Sequence, residues 1–142
     1  MFTPNGPIDD SKIINFENTF RFNLPKDYRN FLRQTNGGTF DGAPLKTGKL
    51  GDLLVDCLFG LNLQDQLSLQ FWNLELRSEI PEKSAIIGSD AGGGFLLLYP
   101  QDEQSNVYYY DHAYSFPTSS DEENTYLLAE RFSRFFQNLS SQ

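Results

Sequence analysis

Residues 24–38, LPKDYRNFLRQTNGG, restrict the fold more than any other stretch of the chain. Pro25 suits a first helical position, where its missing N–H would be unbonded anyway, and Tyr28, Phe31, Leu32 and Thr35 repeat at helical spacing. Gly37 then supplies a left-handed residue that ends the helix. A helix with one apolar stripe needs a second layer to cover it. The sole cysteine, Cys57, has no partner for an internal disulfide, so that layer must come from packing. Thirteen Phe and seven Tyr supply large rings for a core and argue against disorder.

The remaining elements can be placed by pattern. DDSKIINFENTF reads as a short amphipathic helix, with Asp9 as cap, Ile8 stapled onto Ile13, and Ile13, Phe16 and Phe20 near one face. Residues 39–52 hold Gly42, Pro44, Gly48 and Gly51 and read as loop or short edge strands. A strand is expected over residues 53–59. A helix is expected over 65–78, with Asp65 as cap, Leu67, Phe71 and Leu74 on one face, and Pro81 beyond its end. Three short strands follow, Ala85–Ile87, Phe95–Tyr99 and Val107–Tyr110, and their short connections imply an antiparallel meander. The tail opens on a capping box, Ser120 with Glu123, and carries the stripe Leu128, Phe132, Phe135 and Leu139, which predicts one closing helix. There is no repeat or linker, so residues 1–142 read as a single domain, its body running from about residue 8 to 139. The order of elements gives α+β, a central, mostly antiparallel sheet flanked by N-terminal helices and a C-terminal helix.

Few residues offer chemistry. The SDAGGG run at 89–94 has the glycines of a phosphate loop, yet a β-type run, FLLLYP, follows it instead of a helix. Asp90 would repel a phosphate, and no Lys or Arg lies between Lys83 and Arg131, so the run reads as a tight turn with positive φ at one or more glycines. His112 is the only histidine, and Cys57 sits in an apolar strand where an inert thiol is expected. Neither QDEQS nor DEEN has the spaced acids and distal Glu of a calcium loop. No catalytic, cofactor or metal residues are therefore assigned. In NVYYYDHAY, alternation sends Val107, Tyr109 and Asp111 to one sheet face and Tyr108 and Tyr110 to the other. One set packs the core. The other is either a tyrosine surface for a protein partner or is covered by a second layer.

The formal net charge is −8, and most of it arises in one segment. Residues 51–130 carry two basic and fourteen acidic side chains, whereas residues 1–50 carry seven basic and five acidic. That field repels nucleic acid and steers a cationic partner, although a solvated acidic surface would look the same. No apolar stretch approaches the roughly 18 residues of a membrane span, and the start lacks the basic and apolar regions of a signal peptide. A cytoplasmic location is expected, without membrane contact.

Taken in order, these motifs resemble the SUKH superfamily, the Smi/Knr-type domain of bacterial immunity proteins and of a fungal cell-wall synthesis regulator. The resemblance rests on Phe16–Glu17, on LPKDYRNFLRQTNGG with Phe40, on Ile87, Gly88, Asp90 and Gly93, on Phe95–Leu98, on Val107–Tyr108, and on RFSRFFQNL. Gly92 and Gly94 are additions to the family pattern. The resemblance implies the same α+β fold and a non-catalytic role: binding and neutralising a polymorphic or contact-delivered toxin, often a nuclease. The family's regulatory scaffold role is the alternative. Toxin contacts vary between members, so none carries over. From charge and the tyrosine strand, Asp90, Asp102, Glu103, Tyr109 and Asp111 are the expected partner contacts.

Overall fold

The computed structural model describes residues 2–41, 44–47, 51–111 and 125–140. Among these residues eight strands form one antiparallel sheet in the order β1-β2-β4-β5-β6-β7-β8, with β3 paired beside the first half of β4. The strands are β1 (Phe2–Pro4), β2 (Gly38–Phe40), β3 (Pro44–Thr47), β4 (Gly51–Leu58), β5 (Ala85–Asp90), β6 (Phe95–Leu98), β7 (Val107–Tyr110) and β8 (Thr125–Ala129). From β4 onward, sequential strands are spatial neighbours, which is the expected meander. Among the described residues four helices complete the α+β fold: α1 (Asp10–Phe20), α2 (Lys26–Thr35), α3 (Leu69–Glu75) and α4 (Phe132–Ser140).

Ring contacts show which layer each helix occupies. Thr39, Cys57, Ser89, Phe95 and Tyr110 are successive cross-strand partners and therefore share one sheet face. Trp72 of α3 lies 5.1 Å from Phe95, so α3 covers that face. Phe40 follows Thr39 and points the other way. It and its partner Phe2 pack against Phe136 of α4, and Phe2 also meets Phe31 of α2. Phe132 stands edge-on to Tyr28 at 4.9 Å. The phenylalanine-rich core thus lies between the sheet and α1, α2 and α4, and α3 forms a thinner layer opposite.

The α2 stripe is as expected, with Tyr28, Phe31 and Leu32 buried. Its ends shift by one residue. Pro25 is the cap rather than the first helical residue, because its carbonyl accepts the bond from Arg29 N at 2.8 Å. Asn36 (φ 51°) takes the left-handed capping position, and Gly37 (φ 74°) continues it. Asp9 does cap α1 by position, but its side chain makes no capping bond. A strand precedes the first expected element, since β1 pairs Phe2 with Phe40.

Two larger expectations are also corrected. The helix expected over 65–78 is split into a 3-10 turn (Asp65–Leu67), α3, and a second 3-10 turn (Arg77–Glu79). Ser68, extended at φ −97°, is the cap instead of Asp65, and its Oγ accepts from Phe71 N at 3.1 Å. The buried face is Leu69, Asn73 and Leu76 rather than the expected Leu67, Phe71 and Leu74, and Leu74 is 68% exposed. In the tail, the Ser120–Glu123 capping box lies outside the described residues, and Thr125–Ala129 is a strand rather than a helical turn. The free hydrogen-bonding edge of β7 takes up this Thr- and Tyr-bearing segment, pairing Tyr110 with Thr125 and Tyr109 with Tyr126. Leu128 is therefore only half-buried, while Phe132, Phe135 and Leu139 form the buried stripe of α4.

Candidate partner-binding surface

The five expected contact residues fall into two groups. Asp90, Tyr109 and Asp111 gather where the β5–β6 turn meets the end of β7, whereas Asp102 and Glu103 form the β6–β7 turn at the opposite end of that hairpin.

SDAGGG is a hairpin turn, as expected. Asp90 N donates to Gly94 O at 3.0 Å, Asp90 Oδ1 accepts from Gly94 N at 2.7 Å, and Gly93 N reaches Asp90 O at 3.2 Å. Of the three glycines only Gly93 has positive φ, at 94°. Gly94 is required for another reason: a Cβ there would lie 2.1 Å from the Tyr109 hydroxyl. Asp90 is thus 8% exposed and committed to the turn, and the Tyr109 hydroxyl approaches its Oδ1 at 3.5 Å. Burial, then the charges of Asp90 and Asp111, push the Tyr109 phenol up to about 12.

Asp102 and Glu103 are exposed and both left-handed, at φ 51° and 65°. Gln101 and Gln104 exchange two backbone bonds around them, at 3.0 and 2.9 Å, which is the two-residue turn that suits a twisted hairpin. Glu103 also borders a cleft of about 460 Å³ with Lys26, Asp27 and Arg131.

The tyrosine strand mainly packs. Tyr109 and Tyr110 are 8% and 3% exposed, and Tyr108, beside Tyr99 at 6.3 Å, is the half-buried member. Cys57 is buried, and burial, followed by the charge of Asp56, pushes its thiol up to about 12, away from the nucleophilic thiolate. His112 lies outside the described residues. Among the described residues no group of three or more His, Cys, Asp and Glu could hold a metal ion, and no helix is long and apolar enough to cross a membrane.

Charge is divided between the layers. The helix layer holds Lys12, Lys26, Arg29, Arg33 and Arg134, with Arg29 paired to Glu17, and Arg33 to Asp10 at 2.7 Å. Asp65, Glu75, Glu79 and Glu82 lie exposed around α3. Arg77, the one cation on that segment before Lys83, is directed inward to the carbonyl of Ser84 at 3.0 Å.

The ordered motif residues turn out to be fastenings. Glu17 is 6% exposed and accepts from Leu24 N at 2.7 Å as well as from Arg29, joining α1 to the start of α2. Asn36 binds both polar groups of Leu61: its Oδ1 accepts from Leu61 N at 2.7 Å and its Nδ2 donates to Leu61 O at 3.0 Å. Gly37 packs so close to β4 that a Cβ would lie 2.3 Å from Leu58 O. Residues 7–138 match the family described as SMI1 / KNR4 family (SUKH-1). The chain belongs to that family. No curated protein is significantly similar to it in sequence.

Pattern reading of this SUKH-1 domain missed Asn73. Fully buried on α3, it donates from Nδ2 to Leu69 O and Ile86 O, both at 2.9 Å, and accepts from Ile86 N at 2.8 Å. The available signal was a polar residue four positions after Leu69, on the face that helical spacing buries.

Proposed function

We propose that this SUKH-1 domain is a non-catalytic immunity protein that binds and neutralises a cationic protein toxin, most simply a nuclease domain. The observation that carries this reading is the exposed acidic set around α3, in a layer whose arginine is turned inward. A nuclease must present basic groups to phosphates, and an acidic surface competes for the same groups. Asp102 and Glu103 contact the toxin directly from the hairpin tip, and Asp111 adds a carboxylate above the turn held by Asp90 and Tyr109. The protein works in the compartment where the toxin acts, which is the cytoplasm for a nuclease. Its buried thiol needs no oxidising environment.

The test is deletion of the gene followed by challenge with the product of the neighbouring toxin gene. Loss of resistance, restored by the wild-type chain, is expected, together with tight binding that weakens as salt rises. Unchanged resistance in the deleted strain would sink the reading. Recovery of several host regulators in place of a toxin would favour the scaffold role.

A further inference from the structure

One groove is not accounted for by the hairpin contacts. It lies on the α3 face of the sheet and has a volume of about 620 Å³. Thr39, Cys57 and Ser89 form its floor, and Leu67, Phe71 and Trp72 its wall. Asp56 stands on its rim, exposed. From there the exposed residues of β4 continue the same pattern. Burial alternates along the strand, so that Asp52, Leu54 and Asp56 are exposed while Leu53 and Val55 are buried. Leu54 is 45% exposed and gives the strip an apolar centre between two carboxylates. Among the described residues Lys46, the cross-strand partner of Asp52, is the cation on this strip, and Asp65 begins the 3-10 turn that forms the far wall.

We propose that this strip and groove receive an extended segment of the partner that presents a cation, an apolar side chain and a cation at alternate positions. The strand spacing fixes that order. Carboxylates at Asp52 and Asp56 flank Leu54, and an extended segment projects alternate side chains to one face at the same repeat. An apolar side chain covers Leu54 or enters between Phe71 and Cys57, and the cations meet the acids on either side. An acidic or purely polar segment lacks this complementarity. The inference rests on the reading of a cationic protein partner and adds where, and by what sequence pattern, that partner is recognised.

Trp72 is the only tryptophan in the chain and is half-buried on the wall of the groove, its Nε1–H donating to Gln66 O at 3.1 Å. Its fluorescence reports occupancy directly. The probe is a synthetic peptide with Lys-Ser-Leu-Ser-Lys repeats, titrated into the full chain beside one peptide with Leu replaced by Ser and another with Lys replaced by Glu. Saturable change in Trp72 emission with the first peptide is expected. Weakening by about tenfold is expected on loss of the leucines, and again with Asp56→Lys. Gln66→Lys, a second exposed rim position, should weaken binding in the same direction, and circular dichroism checks that both variants fold. Equal binding of the serine peptide, or wild-type binding by both variants, would overturn the groove. Toxin binding that ignores Asp56→Lys and Gln66→Lys but fails with Asp102→Lys/Glu103→Lys would also overturn it while leaving neutralisation standing. Peptide binding as expected, in a protein that confers no resistance, would support the groove and overturn the neutralising role.

Discussion

Asn36 and Gly94 are constrained by what lies next to them rather than by any ligand. Gly94→Ala should lower stability by about 1–3 kcal/mol, read as a drop in the urea midpoint, because the added methyl meets the Tyr109 ring in a packed corner. Glu103 presents the opposite case. It holds a left-handed backbone that costs a non-glycine residue about 1 kcal/mol, so Glu103→Gly should raise the melting temperature. If Glu103 is a contact, the same change should weaken the toxin complex, a pairing of gains and losses expected of a strained binding residue. Protonation gives a further check. Burial favours the neutral forms of Cys57 and Tyr109, whose pKa values rise from 9.0 and 10.0 to about 12 each. The unfolded chain releases these protons first as pH rises. Their contribution to stability is therefore complete below pH 9.0 and lost between there and about 12. Denaturation curves measured across that window should show a falling midpoint, and Cys57→Ala should delay the onset of the fall.

Among the elements, α4 has its N-terminus capped from elsewhere in the fold. Asp27 Oδ2 accepts from Ser133 N at 2.9 Å and from Ser105 Oγ at 2.8 Å, while Ser105 Oγ accepts from Phe132 N at 2.9 Å. Asp27→Ala should cost about 1–2 kcal/mol and speed hydrogen exchange at the first amides of α4. Asn73→Ala should cost more, about 3 kcal/mol by urea denaturation, since it removes the buried bonds to the N–H and carbonyl of Ile86 and loosens α3 from β5. These two fastenings explain what was legible in the sequence and what was not. The stripe of α2, the strands from β4 to β7 and the SDAGGG turn follow from periodicity and from glycine, which are local signals. β8 does not, because TYLLA carries a helical stripe as readily as a strand one. The β7 edge beside it, together with a cap supplied by Asp27 and Ser105, decides between them. β1 was missed for the same reason, since its strand character comes from pairing with β2.

For the whole molecule, the charge excess of residues 51–130 was plain in the sequence, but the gathering of Asp65, Glu75, Glu79 and Glu82 around α3 needed the fold. So did the separation of the five expected contacts into two groups. Asp90 could not have been read as buried from SDAGGG alone, because its hydrogen bond to Gly94 depends on turn geometry. If long-range attraction brings in the cationic toxin proposed above, Asp102→Lys/Glu103→Lys should slow association about tenfold at low salt and leave the melting temperature nearly unchanged. Stopped-flow mixing over a salt series would show it. The clamps made by Glu17, Asn36 and Asn73 have a consequence beyond stability. Their bonds run largely to main-chain atoms, which every residue possesses, so the scaffold depends little on which side chains face outward. Exposed positions away from such fastenings usually shift stability by no more than about 0.5 kcal/mol. A lineage facing an adversary that keeps changing its surface could therefore rewrite the outer faces of α3 and β4 repeatedly, drawing on variation that the fold scarcely registers.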